Sequence, residues 1–99
     1  MRVIAIKTLK AFYEQPAYQE AEQPLKTWYA EAKHATWRTP VDIKEKFSTM
    51  SILADNRVVF NIGGNKYRLV VKIHYNTGIV YIRFVGTHKQ YDQIDEENI

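Results

Sequence analysis

The chain contains no cysteine, which excludes a disulfide framework, a thiolate zinc site and a cysteine nucleophile. Glycine and proline are sparse, four and three in 99 residues, and no repeat or low-complexity stretch marks a linker. No apolar run approaches the roughly 18 residues of a membrane span, and no signal-peptide core is present. The phosphate-cradling GxxxxGK[ST], the dinucleotide GxGxxG and the hydrolase GxSxG are all missing. His34, His74 and His88 are far apart, without HxH or HExxH spacing, which argues against a metal site. The expectation is a single domain over residues 1–99, cytoplasmic, with no metal, no cofactor and no membrane partner.

What is present is an ordinary globular balance of 45% hydrophobic and 25% charged residues, sufficient for one core. Charge is unevenly placed. Four of the eleven acids (Asp92, Asp95, Glu96 and Glu97) fall in the last eight residues, so residues 1–91 hold all fourteen Lys and Arg against seven acids. Residues 57–89 carry Arg57, Lys66, Arg68, Lys72, Arg83 and Lys89 and no acid. A basic block over an aromatic-rich segment points to a polyanion, most plausibly nucleic acid. Ordinary solvated surface charge is the competing explanation.

The order of elements predicts an α+β fold. Val3-Ile4-Ala5-Ile6 is a short β-branched strand, and Thr8 caps a helix through Leu9, Phe12 and Tyr13. Residues 17–33 are helix-prone; Leu25, Trp28, Tyr29 and Ala32 share one helical face, and Pro24 starts that helix or divides it. That face suits core packing better than a groove for a partner helix. Thr39-Pro40-Val41-Asp42 reads as a helix start, with a cap, a first-turn proline and a first-turn acid. Three β-rich runs then occupy residues 57–85, separated by Gly63-Gly64 and Asn76-Thr77-Gly78, a meander with two hairpin turns. From Thr87 onward the chain is polar and aperiodic, ending in an acidic tail over residues 91–99.

Alternation fixes the faces of the meander. Tyr67, Leu69, Val71, Ile73 and Tyr75 face one way and Arg68, Val70, Lys72 and His74 the other. In the last strand the apolar set is Val80, Ile82 and Phe84. Bringing both apolar sets to the core needs an even-length loop, with Ile73 opposite Ile82 and Lys72 opposite Arg83. An even first loop puts Phe60 beside Leu69 in the core and sends Arg57 and Val59 to the far side. That side would gather Arg57, Arg68, Lys72 and Arg83, with Tyr81 and His74 among them and no strand acid to neutralise them. Directly opposed like charges cost tenths of a kcal/mol or more, which a shared anion would offset. Snorkelling over a solvated sheet face is the alternative.

His88 follows Gly86 near the sheet rim, where a proton-transferring side chain would be accessible. His34 reads as a helix C-terminal residue, His74 has no assigned role, and Trp28, Trp37 and Phe47 read as core or partner-facing anchors. Asp92 either orients His88 or begins the acidic tail.

Two segments, VVFNIGGNKYRLVV (residues 58–71) and YIRFVGTHKQYDQID (residues 81–95), together resemble the HigB toxin family of bacterial type II toxin–antitoxin systems. The likeness is strong over about residues 37–95, including residues 42–47, and weaker over the N-terminal helices. The resemblance implies a RelE-like fold, with an N-terminal strand and helices packed on a small antiparallel sheet. It implies a metal-independent endonuclease that cuts mRNA, typically on the translating ribosome, by 2′-OH attack giving a 2′,3′-cyclic phosphate. It further implies neutralisation by a cognate HigA-like antitoxin, which often carries a helix-turn-helix. By the same likeness Arg68, in its Tyr-Arg-Leu-Val context, is the phosphate stabiliser, and His88 the general acid or base. Tyr91 is a further catalytic candidate, and Arg57, Lys66, Lys72, Arg83 and Lys89 are RNA-binding candidates by position on the basic face. The chain departs from the RelE pattern by having Thr87-His88-Lys89-Gln90 where an arginine- and lysine-rich run is usual. A non-catalytic RNA- or ribosome-binding module using the same face is the alternative function.

Overall fold

The structure is a computed structural model that describes residues 1–96, 98 and 99. Its elements are β1 (Arg2–Ile4), α1 (Ile6–Tyr13), a 3-10 segment (Pro16–Ala21), α2 (Glu22–His34), α3 (Pro40–Lys46), β2 (Ser51–Ile52), β3 (Arg57–Ile62), β4 (Tyr67–His74), β5 (Ile79–Thr87) and α4 (His88–Tyr91). The five strands form one sheet in the order β1-β5-β4-β3-β2. β1 runs parallel to β5 and the other pairings are antiparallel, so the sheet is mixed rather than purely antiparallel. The α+β class stands.

The helices pack on one face of this sheet. Leu25, Trp28 and Ala32 on α2 are fully buried at three- and four-residue steps. Pro24 sits in the first turn of α2, and the 3-10 segment precedes it, so the helix-prone stretch is two pieces. His34 closes α2 as expected. α1 begins at Ile6, earlier than a Thr8 cap predicts, with Ala5 in the extended cap position. α3 begins with a capping box: Asp42 N–H donates to Thr39 Oγ1 at 3.4 Å, and Asp42 Oδ2 accepts from Thr39 N–H at 3.2 Å.

Phe60 on β3 is the centre of the core. Its ring packs edge-on against Trp28 (5.4 Å) and Phe47 (5.0 Å) and stacks with Trp37 (6.1 Å). One strand residue thereby ties β3 to α2, to the segment before α3 and to the end of α3. The first hairpin has the expected register, with Phe60 opposite Leu69 and a four-residue turn. Gly63 and Gly64 hold φ of 63° and 71° there, which an L side chain rarely adopts.

A second hairpin, between β2 and β3, has no counterpart in the sequence reading. Asp55 and Asn56, with φ of 60° and 61°, are the two left-handed central residues of a turn closed by the Arg57 N–H donating to the Ala54 carbonyl at 3.4 Å. Aspartate and asparagine tolerate that region better than other non-glycine residues. The signal was a turn dipeptide between short apolar runs; a two-residue strand hid it.

The last hairpin corrects two pairings. Its loop is even, four residues long, but Ile73 lies opposite Val80 rather than Ile82, and Lys72 opposite Tyr81 rather than Arg83. A bulge between Val70 and Val71 then changes the count: Val71 pairs with Ile82 and Val70 with Phe84, leaving Arg83 as the extra residue. Beyond the bulge the faces of β5 exchange. Val85 packs toward the helical core, whereas Phe84 leaves it and joins Val70 on the far face.

Phe60→Ala is expected to cost about 3–5 kcal/mol, the usual range for deleting a buried phenyl ring. Urea unfolding checks this; a loss under about 1 kcal/mol would show that the aromatic cluster is not the centre of the core.

Candidate active site

The face of the sheet away from α1 and α2 is built in rows across β3, β4 and β5, with Val59 and Val70 buried within it. Asn61, Arg68 and Gly86 form one row, Val59, Val70 and Phe84 the next, and Arg57, Lys72 and Tyr81 a third. His74 is beyond the third row, its ring 5.0 Å from that of Tyr81. The expected single basic face is thus divided by an apolar row. Arg68 and Lys72 are four residues apart on one strand, roughly 13 Å, too far to share one phosphate.

The two groups differ in how their charge is used. In the lower group Arg57 is only 7% exposed. Its Nη1 donates to Asp55 Oδ2 at 3.1 Å and its Nε to the Ile99 carbonyl oxygen at 2.9 Å. Lys72 Nζ reaches the same Asp55 oxygen at 3.0 Å. No strand acid faces this cluster, but a turn acid does: Asp55, two residues before Arg57 in the β2–β3 turn, contacts both cations. Hydrogen bonds from Lys72, then from Arg57, keep the Asp55 carboxyl below its ordinary pKa. Lys66, on the β3–β4 turn, is exposed and paired with Glu20 at 2.9 Å. Arg83, in the bulge, and Lys89, on α4, are exposed, and neither meets a carboxylate among the described residues.

The upper group centres on Arg68 and His88. Arg68 is half-buried, and its Nη1 donates at 3.3 Å to the carbonyls of Asn65 and Tyr67, which turns the guanidinium back along the β3–β4 turn. Among the described residues it pairs with no carboxylate. Directly across the ladder is Gly86, two residues before His88. The His88 main-chain N–H donates to the Lys66 carbonyl at 3.2 Å, which docks the start of α4 on the turn just before β4, the strand that carries Arg68.

Gly86 is required by close approach. A Cβ there would lie 2.6 Å from Phe84 Cζ and 2.7 Å from Gln90 Oε1. The phenyl ring that the bulge turned outward crosses this position, and the Gln90 side chain folds over it. Gln90 completes a second capping box: its Oε1 accepts from Thr87 N–H at 2.8 Å and its own N–H donates to Thr87 Oγ1 at 3.1 Å. Gln90 Nε2 also donates to Tyr18 Oη at 3.1 Å, fastening α4 to the 3-10 segment. His88 is therefore the first residue of a capped helical turn and not part of an irregular loop. The pattern Thr-x-x-Gln was legible in the sequence.

On this turn His88 Nδ1 and Asp92 Oδ2 are 3.2 Å apart, one helical turn along. Of the two roles open to Asp92, the geometry places it against His88. Tyr91 is half-buried at the end of α4. Of the tail's four acids, Glu97 lies outside the described residues. No three His, Asp or Glu side chains converge into a possible metal site among the described residues. None of their helices is long and apolar enough to cross a membrane.

Comparison with known proteins bears on this arrangement. A family model described as the HigB toxin, the RelE-like toxic component of a toxin–antitoxin system, matches residues 21–94. The mRNA interferase toxin HigB of Escherichia coli strain K12 is 36% identical over 58 residues, covering 57% of this chain and 56% of that protein. The mRNA interferase HigB of Escherichia coli O157:H7 and that of Shigella flexneri match at the same identity and coverage. The match thus spans a little over half the length of these relatives.

Asp55 makes the lower group sensitive to acid. A depressed carboxylate pKa contributes stability that is complete above the ordinary aspartate value of about 3.9 and lost as pH falls through the folded value. Asp55→Asn keeps the left-handed turn but removes the charge. Its melting temperature should fall below wild type at pH 7, with the gap closing toward pH 2. A gap independent of pH would show that the two ion pairs do not stabilise the fold.

Proposed function

The chain belongs to the HigB family of RelE-like toxic components of toxin–antitoxin systems, and from that premise we propose that it is a metal-independent endonuclease of mRNA. The observation that carries this reading is the pairing of Arg68 with Gly86 and the docking of His88 on the adjoining turn. Together they bring the strand position of Arg68 and the start of α4, with His88, to one corner of the sheet.

The family resemblance implies the chemistry, and those two groups suit it. A ribose 2′-oxygen attacks its own 3′-phosphate; the O2′–P bond forms, the P–O5′ bond breaks, and the ends are a 2′,3′-cyclic phosphate and a free 5′-OH. The nucleophile belongs to the RNA, so the protein supplies only proton transfer and charge stabilisation. Arg68 gives up its long bonds to two carbonyls and donates to the phosphoryl oxygens. With Nδ1–H directed at Asp92, the His88 ring presents Nε2 for proton transfer, and Asp92 acts as a positioning residue. Tyr91, on the same turn, is a second candidate for proton transfer.

The remaining cations divide by geometry. Arg83 and Lys89, without carboxylate partners among the described residues, are the better candidates for contacting the RNA backbone. Lys66 can serve after releasing Glu20, an exposed pair of little cost to break. Arg57 is buried, and with Lys72 it acts mainly through Asp55 to hold the lower sheet. The relatives' names support mRNA as substrate, and the toxic role supports a cognate antitoxin, HigA-like with a helix-turn-helix. Cutting on the translating ribosome, in the cytoplasm, completes the proposal.

Controlled expression in a bacterium with 5′-end mapping tests it. Wild type should arrest growth and leave new internal 5′-OH ends. In folded protein, His88→Gln should lower cleavage by about 10²–10⁴-fold and Arg68→Ala by about 10²–10³-fold. Asp92→Asn should lose less than His88→Gln. Arrest by all variants without new ends would replace catalysis with simple RNA or ribosome binding.

A further inference from the structure

The face that carries Arg68 and Lys72 is covered where the helices do not reach it. Val59 is 4% and Val70 0% exposed, yet both point away from the helices and neither belongs to the core packed beneath them. Arg57, in the next row, is buried as well. Besides the β2–β3 turn at Arg57, the segment that the structure brings over these rows is the C-terminal tail. The N–H groups of Asp92, Gln93 and Ile94 donate to the carbonyls of His88, Gln90 and Tyr91, so helical turns run on from α4 to Ile94. Ile94, half-buried, borders the same groove as Phe84 on β5. Five residues later the Ile99 carbonyl accepts from Arg57 Nε on β3 at 2.9 Å. A line from Phe84 to Arg57 crosses β4 between Val70 and Lys72. It is roughly 12 Å long, within reach of five residues.

The tail is lightly held. Among the described residues beyond Ile94, one hydrogen bond, that of Ile99 to Arg57, fastens it to the sheet, and Asn98 bonds back to Asp95 within the tail. Asp95 and Glu96 make no ion pair among the described residues, so their charge acts on whatever approaches. Phosphates crossing the same rows would meet that charge, since screening takes about 8 Å at physiological salt. We propose that the tail beyond Ile94 is an autoinhibitory strap: lying across the sheet, it closes the course of an RNA strand by bulk and by like charge, and RNA enters by displacing it. The proposal rests on the RNA reading above. His88, Tyr91 and Asp92 precede the strap, so its release leaves α4 in place.

The test measures binding of a labelled 2′-O-methyl RNA, which has no free 2′-OH to attack, by fluorescence anisotropy, with cleavage of the matching RNA assayed separately. Asp95→Asn combined with Glu96→Gln removes two of the tail's charges and keeps its backbone. Glu14→Gln combined with Glu45→Gln removes the same charge from exposed positions at the end of α1 and on α3. A chain ending at Ile94 removes the strap altogether. Both strap variants should bind RNA about three- to tenfold more tightly than wild type at low salt, with the control near wild type. The gain of the charge variant should shrink as salt is added. Melting temperatures check folding, and the charge variant decides the matter where the shortened chain is unstable. Unchanged or weaker affinity in the folded charge variant, or an equal gain in the control, overturns the proposal. Strap variants that bind more tightly yet cut nothing would remove the nuclease reading and leave the strap standing. Failure of every variant to bind RNA overturns both.

Discussion

The structure depends most on how β5 pairs with β4. Up to Val71 the ladder keeps the apolar residues of both strands against the helices. One extra residue, Arg83, then exchanges the faces of β5 for its remaining length. Without that bulge Phe84 would enter the core and Gly86 would not stand beside Arg68. With it, an aromatic ring crosses the far face, a glycine is required beneath the ring, and the strand delivers His88 onto the turn just before β4, the strand that carries Arg68. The corner proposed to act on RNA is the product of a change of phase within a single strand.

The same change of phase explains why the basic face is less uniform than its composition. Six cations without an intervening acid look like one surface along the sequence. In space an apolar row of Val59, Val70 and Phe84 separates them, and Asp55 bridges the lower pair and offsets one of its two charges. What remains exposed without a carboxylate is concentrated around the bulge and α4. The groups proposed for RNA binding and proton transfer are therefore brought to one end of the sheet, while Arg57 and Lys72 at the other end are held by Asp55.

Much of this was legible in the residues. The Thr39–Asp42 capping box, the face shared by Leu25, Trp28 and Ala32, and the even hairpin loops all follow from short-range rules, and the structure has each of them. The bulge did not show because Val80, Ile82 and Phe84 continue a regular alternation straight through it; only tertiary packing ends the pattern. Asp55 was missed because it lies just before the first basic residue of the block, in a hairpin whose outer strand has two residues. α4 was missed for its brevity, although its Thr87–Gln90 cap matches the one at Thr39. The pairing of Asp92 with His88 needed that helical turn to be recognised first.

β1 pairs with the beginning of β5, Val3 against Val80, across nearly the whole chain, whereas β3, β4 and β5 are joined by four-residue turns. Closing a long loop is entropically dearer than closing a hairpin, and contacts of high sequence separation form late. β1 therefore needs β5 before it can pair. During synthesis β1 must wait until residues 79–81 are available, and α4, which carries His88, follows them directly. The sheet cannot be completed, nor the corner beside Arg68 assembled, until residues 79–91 have been made. A growing polypeptide therefore passes through the ribosome that makes it before it holds the groups proposed to act on RNA.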